Sequence, residues 1–282
     1  MLAVLDLFTE EAPVWTAEAL TAKLGYSLPT GYRYVRELTS TGLLRRAAGG
    51  TYVLGSRVIE LDYQIRVADP LLAAGAPVMR ALAEGTGCDV VLGTLYGERI
   101  VTVHQAHGSE GVSASYGRGR RLPLFRGMLS KTLLAALPRA QLRKLYEQHE
   151  EEGRQLPFAR DWETLLANLK AIRSAGYAVT EGELDRDLVG IGVPVVSRAD
   201  SVVAALGLVM TRRRHATLDV DKTVQLLNRA AERLLAAMAQ QGERDAPAGA
   251  PAREGAGEGA GEGEAREAAP ENARAGGAPR QG

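Results

Sequence analysis

Residues 17–55, AEALTAKLGYSLPTGYRYVRELTSTGLLRRAAGGTYVLG, decide the fold. Thr16 offers a side-chain cap to a helix that Gly25 stops, since glycine takes the left-handed conformation without steric cost. A further helix is expected from about Leu28 or Pro29 to Thr41, with Pro29 in the first turn, where its missing N–H would have had no partner. Gly42 ends it. Two short apolar and β-branched runs then flank Gly49-Gly50, the pattern of a hairpin. In front, MLAVLDLF (1–8) spaces Leu2, Leu5 and Phe8 as a helix would. The order helix, helix, short turn, helix, hairpin is that of a winged helix-turn-helix.

Charge sharpens this reading. Residues 27–57 hold Arg33, Arg36, Arg45, Arg46 and Arg57 against one acid, Glu37, although the whole chain balances 34 Lys and Arg against 34 Asp and Glu. The positive charge lies on the third helix and the hairpin, where a recognition helix needs donors for base edges and cations for phosphates. Helical spacing puts Thr30, Arg33 and Glu37 on one face and turns Val35 and Leu38 inward.

Residues 57–84 continue in helical pattern, broken near Asp69-Pro70: a connecting helix, then the first helix of a second domain. CDVVLGTLYGERIVTVHQ (88–105) reads as two strands joined through Tyr96-Gly97-Glu98, and GVSASY (111–116) as a third. Helices follow at about 128–136, 139–149 and 161–175. YAVTEGE (177–183), VGIGVPVVS (189–197) and SVVAALGLVM (201–210) supply three more strands. LDVDKTVQLLNRAAERLLAAM (218–238) closes the domain as a helix with Val220, Val224, Leu227 and Leu234 on one stripe. From Gly242 on, the chain carries no apolar side chain larger than Ala except Pro, so it cannot bury enough surface to offset ordering and is expected to be disordered. The expected organisation is α+β: winged helix-turn-helix 1–56, linker helix 57–70, sensor-like domain 71–241 and tail 242–282.

The single cysteine, Cys88, rules out an intramolecular disulfide framework. No apolar run approaches the ~20 residues of a membrane span, and MLAVLDLF lacks the basic start and cleavage pattern of a signal peptide. A cytoplasmic protein without membrane partners is the expectation. His104 and His107 would diverge at a strand end, and no acidic or cysteine cluster joins them, so no metal or cofactor is expected. Cys88 opens a β run and reads as a small buried hydrophobe. No GxSxG elbow or P-loop occurs, and the glycines of GAGEGAGEG follow no strand. An enzyme, or a winged helix that binds only another protein, remains a minor alternative.

The stretch 17–55 resembles the DNA-binding half of the IclR family of bacterial transcriptional regulators. GRRLPLFRGMLSKTLLAALP (119–138) and IRSAGYAVTEGELDRDLVGIGVPVV (172–196) resemble motifs of its second half, in the expected order. The resemblance spans about residues 1–240. It implies a linker helix that helps pair the DNA-binding domains, a GAF-like α/β effector-binding domain, and homodimers or dimers of dimers on palindromic double-stranded operators. By the same resemblance Thr30, Tyr32, Arg33 and Arg36 would face the major groove or its rim, and Arg45, Arg46 and Thr51 would be wing contacts to the DNA backbone.

Three departures stand out. Family members carry extra residues before the first helix, so a longer or trimmed arm is possible. Gly31 replaces an apolar, often β-branched residue, which should weaken helix packing by roughly 0.5–1 kcal/mol unless it allows a close backbone approach to DNA. At the family's effector positions stand Met128, Leu129, Thr180, Gly190, Gly207 and Val209, an apolar set that favours an effector with a hydrophobic or aromatic body. The basic stretch RGRRLPLFRGMLSKTLLA (118–135) falls beside this site rather than in the winged helix. An effector carboxylate could sit on the N–H groups of Gly127 to Ser130, with Arg126 or Ser130 as side-chain donors; Arg118, Arg120 and Arg121 read mainly as a solvated turn.

Overall fold

The structure, a computed structural model, describes residues 1–112, 117–197 and 202–245. Leu2–Leu7 forms a 3-10 helix, with the Val4 N–H donating to the Met1 carbonyl at 3.1 Å, not the α-helix expected, because six residues are too few to propagate α-helical bonds without a cap. Strand β1 (Trp15–Thr16) leads into α1 (Ala17–Lys23), capped by the Thr16 hydroxyl, which accepts from Ala19 N–H at 3.2 Å. Helix α2 (Leu28–Ser40) and the hairpin β2 (Leu44–Arg46) and β3 (Thr51–Leu54) complete the winged unit. Its sheet is ordered β1-β3-β2; the two-residue β1 is too short to show an alternating pattern in sequence. Val4, Leu20, Val35, Leu38, Leu44 and Tyr52 form its core.

Gly31 is buried against α1, and a Cβ there would overlap the Thr21 hydroxyl. The expectation that Gly31 weakens packing, or serves a close approach to DNA, is therefore corrected. Its missing side chain lets α1 and α2 cross in contact, and Thr21 turns its hydroxyl back to the Ala17 carbonyl at 2.6 Å.

Helix α3 (Arg57–Ala68) buries none of its residues. It breaks at Asp69, whose carboxylate caps α4 (Pro70–Thr86) by accepting from Leu71 N–H at 2.9 Å. Strands β4 (Asp89–Tyr96), β5 (Arg99–Ala106), β6 (Arg121–Leu122), β7 (Ala178–Glu181), β8 (Leu188–Ser197) and β9 (Val202–Thr211) form an antiparallel sheet in the order β6-β5-β4-β9-β8-β7. Of the expected strand GVSASY, residues 113–116 lie outside the described residues and Gly111 and Val112 are not in a strand; the strand on the outer side of β5, away from β4, is Arg121–Leu122.

One sheet face carries α4 and the closing helix α10 (Val220–Asp245), packed around Leu92, Ile191, Leu206 and Leu234. The other carries α5 (Met128–Ala136), α6 (Arg139–Gln148) and α8 (Trp162–Ala175), with the short α7 (Glu150–Arg154) between them; α9 (Arg212–His215) follows β9. Helix α10 runs to Asp245, so residues 242–245, expected in the tail, are helical: extending an existing helix adds one hydrogen bond per residue fixed. Residues 246–282 lie outside the described residues. No helix among the described residues is long and apolar enough to cross a membrane.

The basic turn before β6 is more than a solvated loop. Arg118 donates to Asp62 of α3 from both Nε (3.0 Å) and a terminal nitrogen (2.7 Å), and also to the Val103 carbonyl. Arg120 pairs with Glu10 at 2.5 Å and Arg99 with Asp6 at 3.4 Å. Asp6, Glu10 and Asp62 of the first 66 residues are thus matched by arginines of the second half.

Because Gly31 is a contact glycine, Gly31→Ala should destabilise the protein by about 1–3 kcal/mol through overpacking, opposite in sign to the usual gain at an exposed helix position. Adding Thr21→Ala should recover most of it. Urea unfolding of both variants checks this, and a neutral Gly31→Ala would remove the packing role.

Candidate nucleic-acid interface and effector domain

Arg33, Arg36 and Glu37 lie exposed on the outer face of α2, opposite the buried Val35 and Leu38. Thr30 is half-buried and accepts from the Ser27 hydroxyl at 3.0 Å. The Tyr32 hydroxyl donates to Glu18 of α1; this bond holds the Glu18 carboxyl below its ordinary range and pushes the Tyr32 hydroxyl up. Arg33 stacks over Tyr34, 5.4 Å from the ring centroid.

The wing divides its two arginines. Neighbours on a strand point to opposite faces, so Arg46 faces α2 and Arg45 faces away. Arg46 lies over the Tyr52 ring at 5.8 Å. It joins Pro29, Tyr32, Arg33, Arg36, Thr39, Ser40 and Tyr52 around a concavity of about 780 Å3 that no acid lines. Arg45 instead lines a second hollow with Glu10, Glu11, Arg118, Arg120 and Arg121. Thr51 donates to the Ala48 carbonyl at 2.7 Å and closes the turn. Thr30, Tyr32, Arg33, Arg36 and Arg46 are thus brought together, while Arg45 and Thr51 are not part of that surface.

In the second half, Met128 and Leu129 are fully buried beneath α5. A Cβ at Gly190, Gly192 or Gly207 would come within 2.8 Å of the Met128 side chain, and one at Gly93 would meet Leu129 at 3.0 Å. The space between α5 and the sheet that Thr180, Gly190, Gly207 and Val209 border is therefore filled by this chain's own methionine. The seat expected for an effector carboxylate is also taken. Gly127, at φ 84°, donates its N–H to a Glu183 oxygen at 2.8 Å, and Lys131 pairs with the other oxygen. Arg126 is exposed and donates to the Glu183 carbonyl, and the buried Ser130 donates to the Pro123 carbonyl at 2.7 Å. Lys131, its side chain only 10% exposed, also lies over the Phe158 ring at 4.3 Å. The Gly127 N–H and the side chains of Arg126 and Ser130 are thus engaged within the chain, a feature that spacing alone could not reveal because Glu183 lies far away in sequence.

His107 lies 3.2 Å from the buried Asp89 carboxylate, which also accepts from Gln105 and from the Gly108 N–H. Burial lowers the His104 pKa, with Arg118 adding to the effect, and burial raises that of Cys88.

Residues 67–236 match the profile of the bacterial transcriptional regulator IclR C-terminal domain, and residues 1–48 that of the IclR helix-turn-helix domain. The chain belongs to the IclR family. It is 29% identical to the regulator KipR of Bacillus subtilis over 73% of this chain and 82% of that one. It is 26% identical to KdgR of Escherichia coli over 88% and 93% of the two chains. An IclR homologue from Microbacterium hydrocarbonoxydans solved with 4-hydroxybenzoate superposes with a TM-score of 0.68, at 25% identity, over 85% of this chain and 97% of the other. The architecture is accordingly that of an IclR-family transcriptional regulator: a winged helix-turn-helix joined to a GAF-like domain.

Sequence reasoning missed Tyr52 beside Arg46, and it missed Glu183. Alternation along β2 and β3 carried the first; nothing local carried the second. Glu183→Ala should cost about 2 kcal/mol, since it strands the Lys131 ammonium in a largely dry site, and Lys131→Met in the same chain should restore part of the loss. Thermal unfolding of the single and double variants checks this; additive losses would show that the two do not interact.

Proposed function

We propose that this chain is an effector-responsive regulator that binds a double-stranded, palindromic operator as a homodimer or dimer of dimers, with α2 in the major groove. The observation that carries the proposal is the acid-free concavity between α2 and the wing, with Arg33, Arg36 and Arg46 around it. Thr30 and Tyr32 would reach base edges or the groove rim, and Arg46 the phosphates. Arg45 and Thr51 are left as contacts of the wing edge. A small organic effector with an apolar or aromatic body would act through the second domain, and the 4-hydroxybenzoate bound by a relative supports that class. It can act only by binding one arrangement of the paired winged helices more tightly than another.

A second copy of the chain is the partner. Helix α3 leaves Ile59, Tyr63 and Val67 exposed at i, i+4 and i+8. Such a stripe on a helix with no buried residue is an unpaired interface.

The upstream intergenic fragment of its own gene should be retarded by the protein, with affinity falling steeply as salt rises. Arg33→Ala and Arg46→Ala should each weaken binding about tenfold or more, and Arg45→Ala clearly less. Equal affinities for all three and the parent would overturn the assignment of the surface. For the pairing, Ile59→Asp with Tyr63→Asp should shift the light-scattering mass toward the monomer and weaken operator binding. An unchanged mass would remove α3 from the interface.

A further inference from the structure

We infer that the proposed effector seam between α5 and the sheet is closed by Met128 and selects an uncharged molecule with a flat apolar body and a hydroxyl-type polar group. The inference rests on the effector-binding reading above and names the class of effector.

The strand register lays three rows across the sheet face under α5. Asp89, Val209, Gly190 and Thr180 form one; Gln105, Val91, Gly207, Gly192 and Ala178 the next; Thr102, Gly93, Ala205 and Pro194 the third. Glycine weakens a strand interior unless something must approach closely. Here Gly190, Gly192 and Gly207 all open onto one side chain, Met128. Methionine is unbranched and turns about three bonds, so it yields its place more readily than Leu or Ile would. It is also the first residue of α5, directly after Gly127 in a conformation that favours glycine, so it can swing without unwinding the helix.

A second observation points to a ligand independently. The Thr102 hydroxyl is fully buried and has no hydrogen-bond partner. Thr102 stands directly opposite Gly93, whose missing side chain faces Leu129 of α5, so the hydroxyl belongs to the same seam. A buried hydroxyl left unpaired is a cost that a polar ligand group would remove.

Charge settles the class. Among the described residues, the charged side chain that the register places on this floor is an acid, Asp89, already held by Gln105, His107 and the Gly108 N–H. Lys131 is turned to Glu183 and Phe158. A carboxylate in the seam would be stripped of water near the Asp89 carboxylate, whereas a phenol or alcohol meets no such repulsion.

Phenol and benzoate, matched in ring size and opposite in charge state at pH 7, test this on the full-length chain by thermal shift and calorimetry. Met128→Ala should make phenol at least about tenfold tighter than it is for the parent, with benzoate weaker than phenol. Benzoate binding as tightly as phenol, or no phenol binding to a folded Met128→Ala chain, overturns the inference. Thr102→Val supplies a second reading should Met128→Ala not fold: without ligand it should melt no lower than the parent, and it should lose phenol binding relative to toluene. A lower melting temperature, or an unchanged phenol preference, overturns the role of Thr102. Retardation of the operator fragment reads the regulator assignment separately, so either result can fail while the other stands.

Discussion

Helix α5 can lie on the sheet because Gly93, Gly190, Gly192 and Gly207 present no side chains where Met128 and Leu129 come down. Side chains at those four positions would lift the helix off the sheet, and with it the buried Leu133 and Leu134, each of which contributes about 1.5–3 kcal/mol by its burial. The close approach also fixes the rim of the domain. With α5 seated, Gly127 presents its N–H to Glu183, and Lys131 reaches the same carboxylate. The helix start is neutralised from within the chain. One geometric demand, small residues on adjacent strands, thus sets the packing, the charge at the helix end and the shape of the seam together.

The winged unit obeys the same rule on a smaller scale. Gly31 lets α2 close on α1, and that contact turns Arg33 and Arg36 outward, toward the side on which Arg46 stands. A glycine in mid-helix is locally unfavourable. Here it permits the close approach of the two helices at Thr21, which a side chain at position 31 would block.

What could be read from the sequence follows from which interactions are local. Caps, stop glycines and hairpin turns act over a few residues, so Thr16, Gly25, Gly42 and the Gly49-Gly50 turn marked the winged helix-turn-helix, and short apolar, β-branched runs marked β4, β5, β8 and β9. Gly31 was misjudged because its reason is Thr21, ten residues earlier and on another helix. Glu183 was missed because it meets Gly127 only after four helices and a strand intervene. Arg45 and Arg46 were grouped by adjacency, although a strand sends neighbours to opposite faces; the pattern was available but was read as composition.

The arginine turn that follows residues 113–116 shows how far local charge can mislead. RGRRLPLFRG is dense in positive charge, yet Arg118 and Arg120 point to Asp62 and Glu10 of the first half. Exposed ion pairs of this kind contribute little individually to stability. Their effect lies in where they act: Arg118 joins the sensor sheet, through the Val103 carbonyl, to the linker helix through Asp62. A shift of the β5 edge would therefore be felt at α3, the helix whose exposed stripe is the proposed pairing surface. The densest positive charge in the second half thus ties that half to the linker helix and the winged unit, while Arg33, Arg36 and Arg46, sparser in sequence, share a concavity that no acid lines.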